Sequence, residues 1–255
     1  MKKSFRLAGL LLMAVTFFGF VACGNDGDED DNDGIDTSPI SLIAGKEKVI
    51  QGADTINSSN KFVAYGSKNT VYAWHVGEAN LLVNGKKSIS ITVLPQYHLY
   101  NDPVCEWGCS QDNVKNKQTQ GTLSSKSTSE SLIYEDAGAA SLMIYQFKNG
   151  KLTNVGALVS TNYTSQYASF LAERYLMLPY YKGEDTYFVG VDALELEKGN
   201  TVAALSVYSA KYLMTIYMPV SEFTRATRSQ NDIDIFRKDI IANINKFFVD
   251  EELLN

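Results

Sequence analysis

Between residues 40 and 95 no apolar stretch repeats at helical spacing over a useful length, and this pattern constrains the fold more than any other. Short runs rich in β-branched and aromatic residues recur instead: Ser41 to Ile43, Lys48 to Ile50, Phe62 to Tyr65, Thr70 to Trp74, Ala79 to Val83 and Ser88 to Leu94. The breaks at Gly45-Lys46, Asn57 to Asn60, Gly66 to Asn69, Gly77-Glu78 and Asn84-Gly85 supply turns, and Asn-Gly is the strongest short hairpin signal. Strands at this spacing predict a small all-β sandwich over residues 40–96.

Beyond it the pattern changes. Residues 97–108 form a joint carrying Tyr97, Tyr100, Pro103 and Trp107, whose rings are expected to be buried and to fix the angle between domains. Residues 97–223 read as an α+β domain. A short helix capped by Ser110 and a Ser/Thr-rich loop lead to strands near Leu132 to Glu135, Ala140 to Lys148 and Lys151 to Ser160, with Asn149-Gly150 as a second hairpin turn. The spacing of Tyr167, Phe170, Leu171, Arg174, Tyr175 and Leu178 predicts a helix from Tyr163 to Leu178, stopped by Pro179. Strands follow at Thr186 to Leu196, Thr201 to Tyr208 and Tyr212 to Met218. The domain is thus expected to be a duplicated helix-plus-three-strand unit, each leaving a sheet face for its neighbour to cover. Residues 224–255 read as a polar linker, Thr224 to Gln230, and a C-terminal helix from Asp232 to Val249 with an apolar stripe that includes Ile240, Ile241 and Ile244.

Within the sandwich, Phe62-Val63-Ala64, Val71-Tyr72-Ala73, Val76 to Val83 and Ile89 to Val93 resemble the bacterial Ig-like group 2 domain, in which a strand ending in Ala leads through a Gly turn into an alternating strand and a final strand. The resemblance covers about 55 residues. It implies an Ig-like sandwich acting as a rigid spacer or adhesive module, with no catalytic residues to transfer. The expected fold class is therefore multi-domain: an all-β Ig-like sandwich, an α+β domain and a C-terminal helix.

The N-terminus supplies an address. Lys2, Lys3 and Arg6 precede the apolar run Leu7 to Val21, too short and wrongly flanked for a spanning helix, so residues 1–22 read as a secretory signal peptide. Phe20-Val21-Ala22-Cys23 resembles the lipobox of bacterial lipoproteins, although Phe20 replaces the usual aliphatic residue. The resemblance implies acylation of Cys23 and attachment to the outer membrane, on its surface or periplasmic face; ordinary secretion after cleavage near Ala22 is the alternative. Residues 23–39 follow as a tether. Seven of the chain's 29 acidic residues lie between Gly24 and Ser38, with no Lys or Arg among them. So polar and charged a segment buries too little apolar area to offset the entropy of ordering, and its self-repulsion extends it. It resembles the surface-export signals of Bacteroidetes lipoproteins. Its EF-hand-like alternation fails as a calcium loop because Ile40 stands where a bidentate Glu is needed.

The formal charge of -6 belongs mostly to that tether, since 22 acidic face 20 basic residues beyond Ser38. A body so balanced has no net basic field for nucleic acid. No serine-hydrolase elbow, zinc-peptidase helix, phosphate loop or dinucleotide fingerprint occurs, and no cofactor is expected. His75 reads as structural, on a strand without a pocket. Cys105 and Cys109 lie four apart and stand either as a small disulfide or as free thiols; no further Cys or His pair completes a metal set. Tyr163, Tyr167, Tyr180 and Tyr181 are a candidate glycan or peptide platform, against the alternative that they fill half-buried positions. Asp54-Thr55-Ile56 resembles the O-glycosylation acceptor of Bacteroidetes, implying Thr55 as the modified residue. The function expected is a non-enzymatic binding or adhesion lipoprotein with a protein or glycan ligand. A carboxylate-based envelope hydrolase and a structural subunit of an outer-membrane assembly are the alternatives, and oligomeric state stays open.

Overall fold

The computed structural model describes residues 34–182, 185–228, 241, 242 and 244. The leader and most of the tether, residues 1–33, therefore lie outside the described residues, as does most of the expected C-terminal helix. The described chain is rich in β-sheet with a few helices.

Seven strands span residues 40–94: β1 (Ile40–Ile43), β2 (Glu47–Val49), β3 (Ile56–Ser58), β4 (Ala64–Ser67), β5 (Thr70–Ala73), β6 (Gly77–Val83) and β7 (Lys87–Leu94). They form a four-stranded sheet ordered β1-β7-β6-β3 and a three-stranded sheet ordered β2-β5-β4. β1 runs parallel to β7; the other pairs are antiparallel. Alternation is strict where one face is buried: Ala79, Leu81 and Val83 on β6 and Ile89, Ile91 and Val93 on β7 enter one core with Ala64, Val71 and Ala73. Asn84 and Gly85 both have positive φ, as the turn chemistry predicts. The Asn84 carboxamide also accepts the N–H groups of Asp54 and Thr55. That contact holds the start of β3, a strand lying in a stretch expected to be only turn.

Eight strands form the third sheet: β8 (Thr122–Leu123), β9 (Ser131–Ala137), β10 (Ala140–Lys148), β11 (Lys151–Ser160), β12 (Leu176–Lys182), β13 (Asp185–Val191), β14 (Thr201–Val207) and β15 (Tyr212–Pro219). Their order is β12-β13-β14-β15-β11-β10-β9-β8. Three helices accompany them: α1 (Gln111–Lys117), α2 (Thr164–Ala172) and α3 (Val220–Arg228). Ser110 caps α1 by accepting the N–H of Asn113.

The expected duplication is corrected in its form. Each helix, α1 and α2, is followed by four strands rather than three, and the closing strands β11 and β15 pair antiparallel at the centre. The two runs join edge to edge into one sheet instead of covering each other's faces. The long helix from Tyr163 to Leu178 is also corrected: α2 ends at Ala172, and Leu176 begins β12. Tyr175 donates its N–H to Leu171, closing the last helical turn. Pro179 then fits the sheet because β12 is an edge strand, where a missing N–H is tolerated. The expected linker Thr224 to Gln230 is helical through Arg228.

Both faces of this sheet are covered. One carries α1 and α2 through Val114, Tyr167, Phe170 and Leu171, with Leu99, Tyr100 and Val104 from the joint. The other carries Val220 and Phe223 of α3 together with Ile244. Ile241, Ala242 and Ile244 are helical, and Ile244 is buried, so at that position the expected stripe is core. Burial on both faces explains the near-continuous apolar runs of β10, β11 and β15.

Candidate functional site

The joint places Tyr100 against the sheet and α2, and the hydroxyls there satisfy one another. Tyr100 Oη lies 2.6 Å from Tyr217 Oη and 2.9 Å from Tyr167 Oη, and Tyr167 donates to Thr215 Oγ1 at 2.6 Å. A short distance away Tyr145 donates to Gln118 Oε1 at 2.6 Å, and its oxygen accepts the N–H of Val104. Burial, which disfavours phenolate, holds Tyr100, Tyr175 and Tyr217 well above the usual tyrosine range and pushes Tyr167 up to about 12. Tyr100, Tyr167 and Tyr217 are neutral hydroxyls closed into a network and buried, with neither charge nor a free face to offer a ligand.

That geometry corrects the tyrosine platform. Tyr167 is fully buried on the inner side of α2, beside Phe170 and Leu171. Tyr163 is exposed, in the short turn before α2. Tyr180 and Tyr181 lie on β12, their backbones paired with Tyr187 and Thr186. Burial thus removes Tyr167 from that platform, and the side chains of Tyr180 and Tyr181 lie outside the described residues. Of the joint aromatics, Tyr100 is buried, while Tyr97 and Trp107 pack at the margin of the same core.

Between the joint and the sandwich sits an ionic clasp at the end of α2. The buried Glu173 carboxylate accepts the N–H groups of Gln96 and Tyr97, each at 3.0 Å, and a bond from Arg174 Nη1 at 2.7 Å. The Glu173 carbonyl accepts the Val76 N–H at 2.7 Å. Arg174 also pairs with Asp102 and lies over the Phe170 ring at 3.8 Å. A buried carboxylate that accepts three hydrogen bonds, engaging both oxygens, acts as a structural acceptor.

Cys105 and Cys109 are free thiols in the structure. The chain turns between them, with Cys109 donating its N–H to Glu106 and Gly108 at positive φ. Burial raises both thiols above the ordinary cysteine range, which disfavours the thiolate at each. His75 is buried, stacked on Phe62 at 3.9 Å, with Nδ1 2.8 Å from the Phe62 carbonyl. Burial lowers its pKa, with the Phe62 contact opposing. Thr55 is exposed at the edge of β3, its N–H held by Asn84. Among the described residues, no group of three or more His, Cys, Asp or Glu is placed to hold a metal ion.

A further aromatic cluster lies apart from the residues singled out by sequence. On the three-stranded sheet Tyr65 and Tyr72 are cross-strand partners with rings stacked at 5.0 Å, and Trp74 stands edge-on to Tyr65 at 6.0 Å. Tyr65 is 39% and Trp74 42% exposed. The signal was present in the alternation: Ala64, Val71 and Ala73 point inward, so Tyr65, Tyr72 and Trp74 must point outward. Comparisons of the chain with family models, curated proteins and solved structures find no match.

Proposed function

We propose that this chain is a lipid-anchored envelope protein that binds a partner without transforming it. Cys23 is its acylated anchor, residues 24–34 its acidic tether and residues 40–96 an Ig-like spacer, with Ile35 packed into the spacer's core. Seven short strands in a four-stranded and a three-stranded sheet, with strict alternation into one core, support the Ig-like reading. The lipobox resemblance around Cys23 supports the anchor, with each acyl methylene contributing roughly 0.8 kcal/mol of membrane affinity.

One observation carries the non-enzymatic part. The polar groups where chemistry would be sought are held neutral, as in the tyrosine network and the two thiols, or engaged on both oxygens, as in Glu173, whereas large aromatic rings stand on the surface. Such a distribution suits recognition more than proton transfer. Purified full-length chain incubated with peptidoglycan and envelope polysaccharide is expected to release no reducing ends or peptides. Reproducible turnover, abolished by a single carboxylate substitution, would contradict the proposal.

A further inference from the structure

We infer that the outer face of the three-stranded sheet is a binding platform for an anionic oligosaccharide. The inference deepens the binding reading above and rests on it. Register places Glu47, Tyr72 and Tyr65 in one row across β2, β5 and β4, and Val49, Thr70 and Ser67 in the next. Their inward-facing neighbours Ala64, Val71 and Ala73 are buried, which sets these six residues on the outside with Trp74 following Tyr72. Stacking between Tyr65 and Tyr72 orders both rings in the absence of ligand, so little side-chain freedom is lost on binding. Trp74, at 77° to Tyr65, presents its indole in a different plane, so the cluster meets a ligand from two directions.

The size of the cluster selects the occupant. Aromatic side chains expose at most about 250 Å² each, so three rings of which the most exposed is 42% exposed offer at most about 300 Å² together. A stable protein interface takes about 800 Å² from each partner. The platform is too small for a folded protein and large enough for one or two sugar rings, whose C–H faces pack on aromatic faces. The adjoining Thr70 and Ser67 hydroxyls suit the hydroxyl-rich edge of such rings.

Charge selects the kind of sugar. The strands and turns of this sheet, residues 46–49 and 61–75, hold Lys46, Lys48, Lys61 and Lys68, all exposed, against Glu47 alone among carboxylates; register sets Lys48 beside Val71 on the opposite face, whereas Lys61 and Lys68 flank β4, the strand that carries Tyr65. Lys46, Lys61 and Lys68 have no carboxylate within salt-bridge distance among the described residues. Unpaired lysines at both ends of the strand that carries Tyr65, in a chain of net charge -6, match carboxylated or sulfated pyranoses.

Trp74 and Trp107 are the two tryptophans, so full-length chain carrying Trp107→Phe and purified in detergent reports on Trp74 alone. Hexagalacturonate and a heparin hexasaccharide serve as charged probes, maltohexaose as the neutral one. At least one charged probe is expected to change Trp74 emission saturably, and to bind tenfold or more tighter at 50 mM than at 500 mM salt. Calorimetry on Trp74→Ala and on Tyr65→Ala is expected to show at least tenfold weaker binding, with unchanged circular dichroism. Failure of both charged probes, equal binding of maltohexaose, or undiminished binding to Trp74→Ala would overturn the platform. Shortened saccharides appearing in the same mixtures would overturn the non-enzymatic reading while leaving the platform in place.

Discussion

At the scale of single residues, His75 and the tyrosines set how stability responds to pH. Burial favours neutral His75 in the folded chain, so its folded pKa lies below the unfolded value of 6.5. Above pH 6.5 both states are neutral there and stability is full. As pH falls through 6.5 the unfolded chain takes up the proton first, and stability declines until the folded pKa is passed. Melting temperature followed from pH 7 to pH 5 should therefore drop less in His75→Phe than in the parent chain. Tyr167 behaves in the mirror sense. Its pKa is raised to about 12, so the unfolded chain ionises first and stability declines as pH rises from 10 to 12. Tyr167→Phe should cost about 1–2 kcal/mol in urea unfolding at neutral pH, because Thr215 Oγ1 and Tyr100 Oη each lose a partner in the core. It should leave the circular dichroism spectrum unchanged. The burial of Tyr167 was not legible in the sequence. Tyrosine has an apolar body and a polar tip, and only the arrival of Tyr100 and Tyr217, distant in the chain, decides that the tip faces inward.

Among the elements, α2 and β12 show where periodicity misleads. Tyr167, Phe170 and Leu171 share a helical face, and Arg174, Tyr175 and Leu178 happen to continue the same spacing. The chain instead stops its helix at Ala172 and extends, leaving Leu178 59% exposed on β12. What ends the helix is tertiary: Glu173 and Arg174 turn toward Gln96, Tyr97, Val76 and Asp102, partners remote in sequence. The strands of residues 40–94 were more legible because one face of each is wet and alternation survives, whereas β10, β11 and β15 are buried on both faces. Asn84-Gly85 and Asn149-Gly150 were legible for a local reason, since Asn and Gly accept positive φ. The clasp carries its own prediction. Glu173→Gln removes a buried charge beside Arg174 and weakens two backbone hydrogen bonds, and should cost about 3 kcal/mol in urea unfolding. A loss under about 0.5 kcal/mol, the usual size for a surface substitution, would mean that the clasp holds nothing.

For the whole molecule, an internal tyrosine network and clasp hold the fold, and a separate surface cluster is the proposed site of partner binding. The outward aromatic cluster was legible once the strands of residues 62–74 had been read, because alternation assigns Tyr65, Tyr72 and Trp74 to one face. The tyrosines around α2 drew more attention by their number, although number says nothing about exposure. Under the proposed function, presentation of that cluster depends on Cys23, which lies outside the described residues. Metabolic labelling with an alkyne palmitate analogue, followed by membrane fractionation, tests it most directly. The full-length chain should carry label and sediment with the outer membrane, and Cys23→Ser should lose the label and leave the membrane fraction or stall with its leader uncleaved. Label retained by Cys23→Ser, or an unlabelled parent chain released to the medium, would contradict the account.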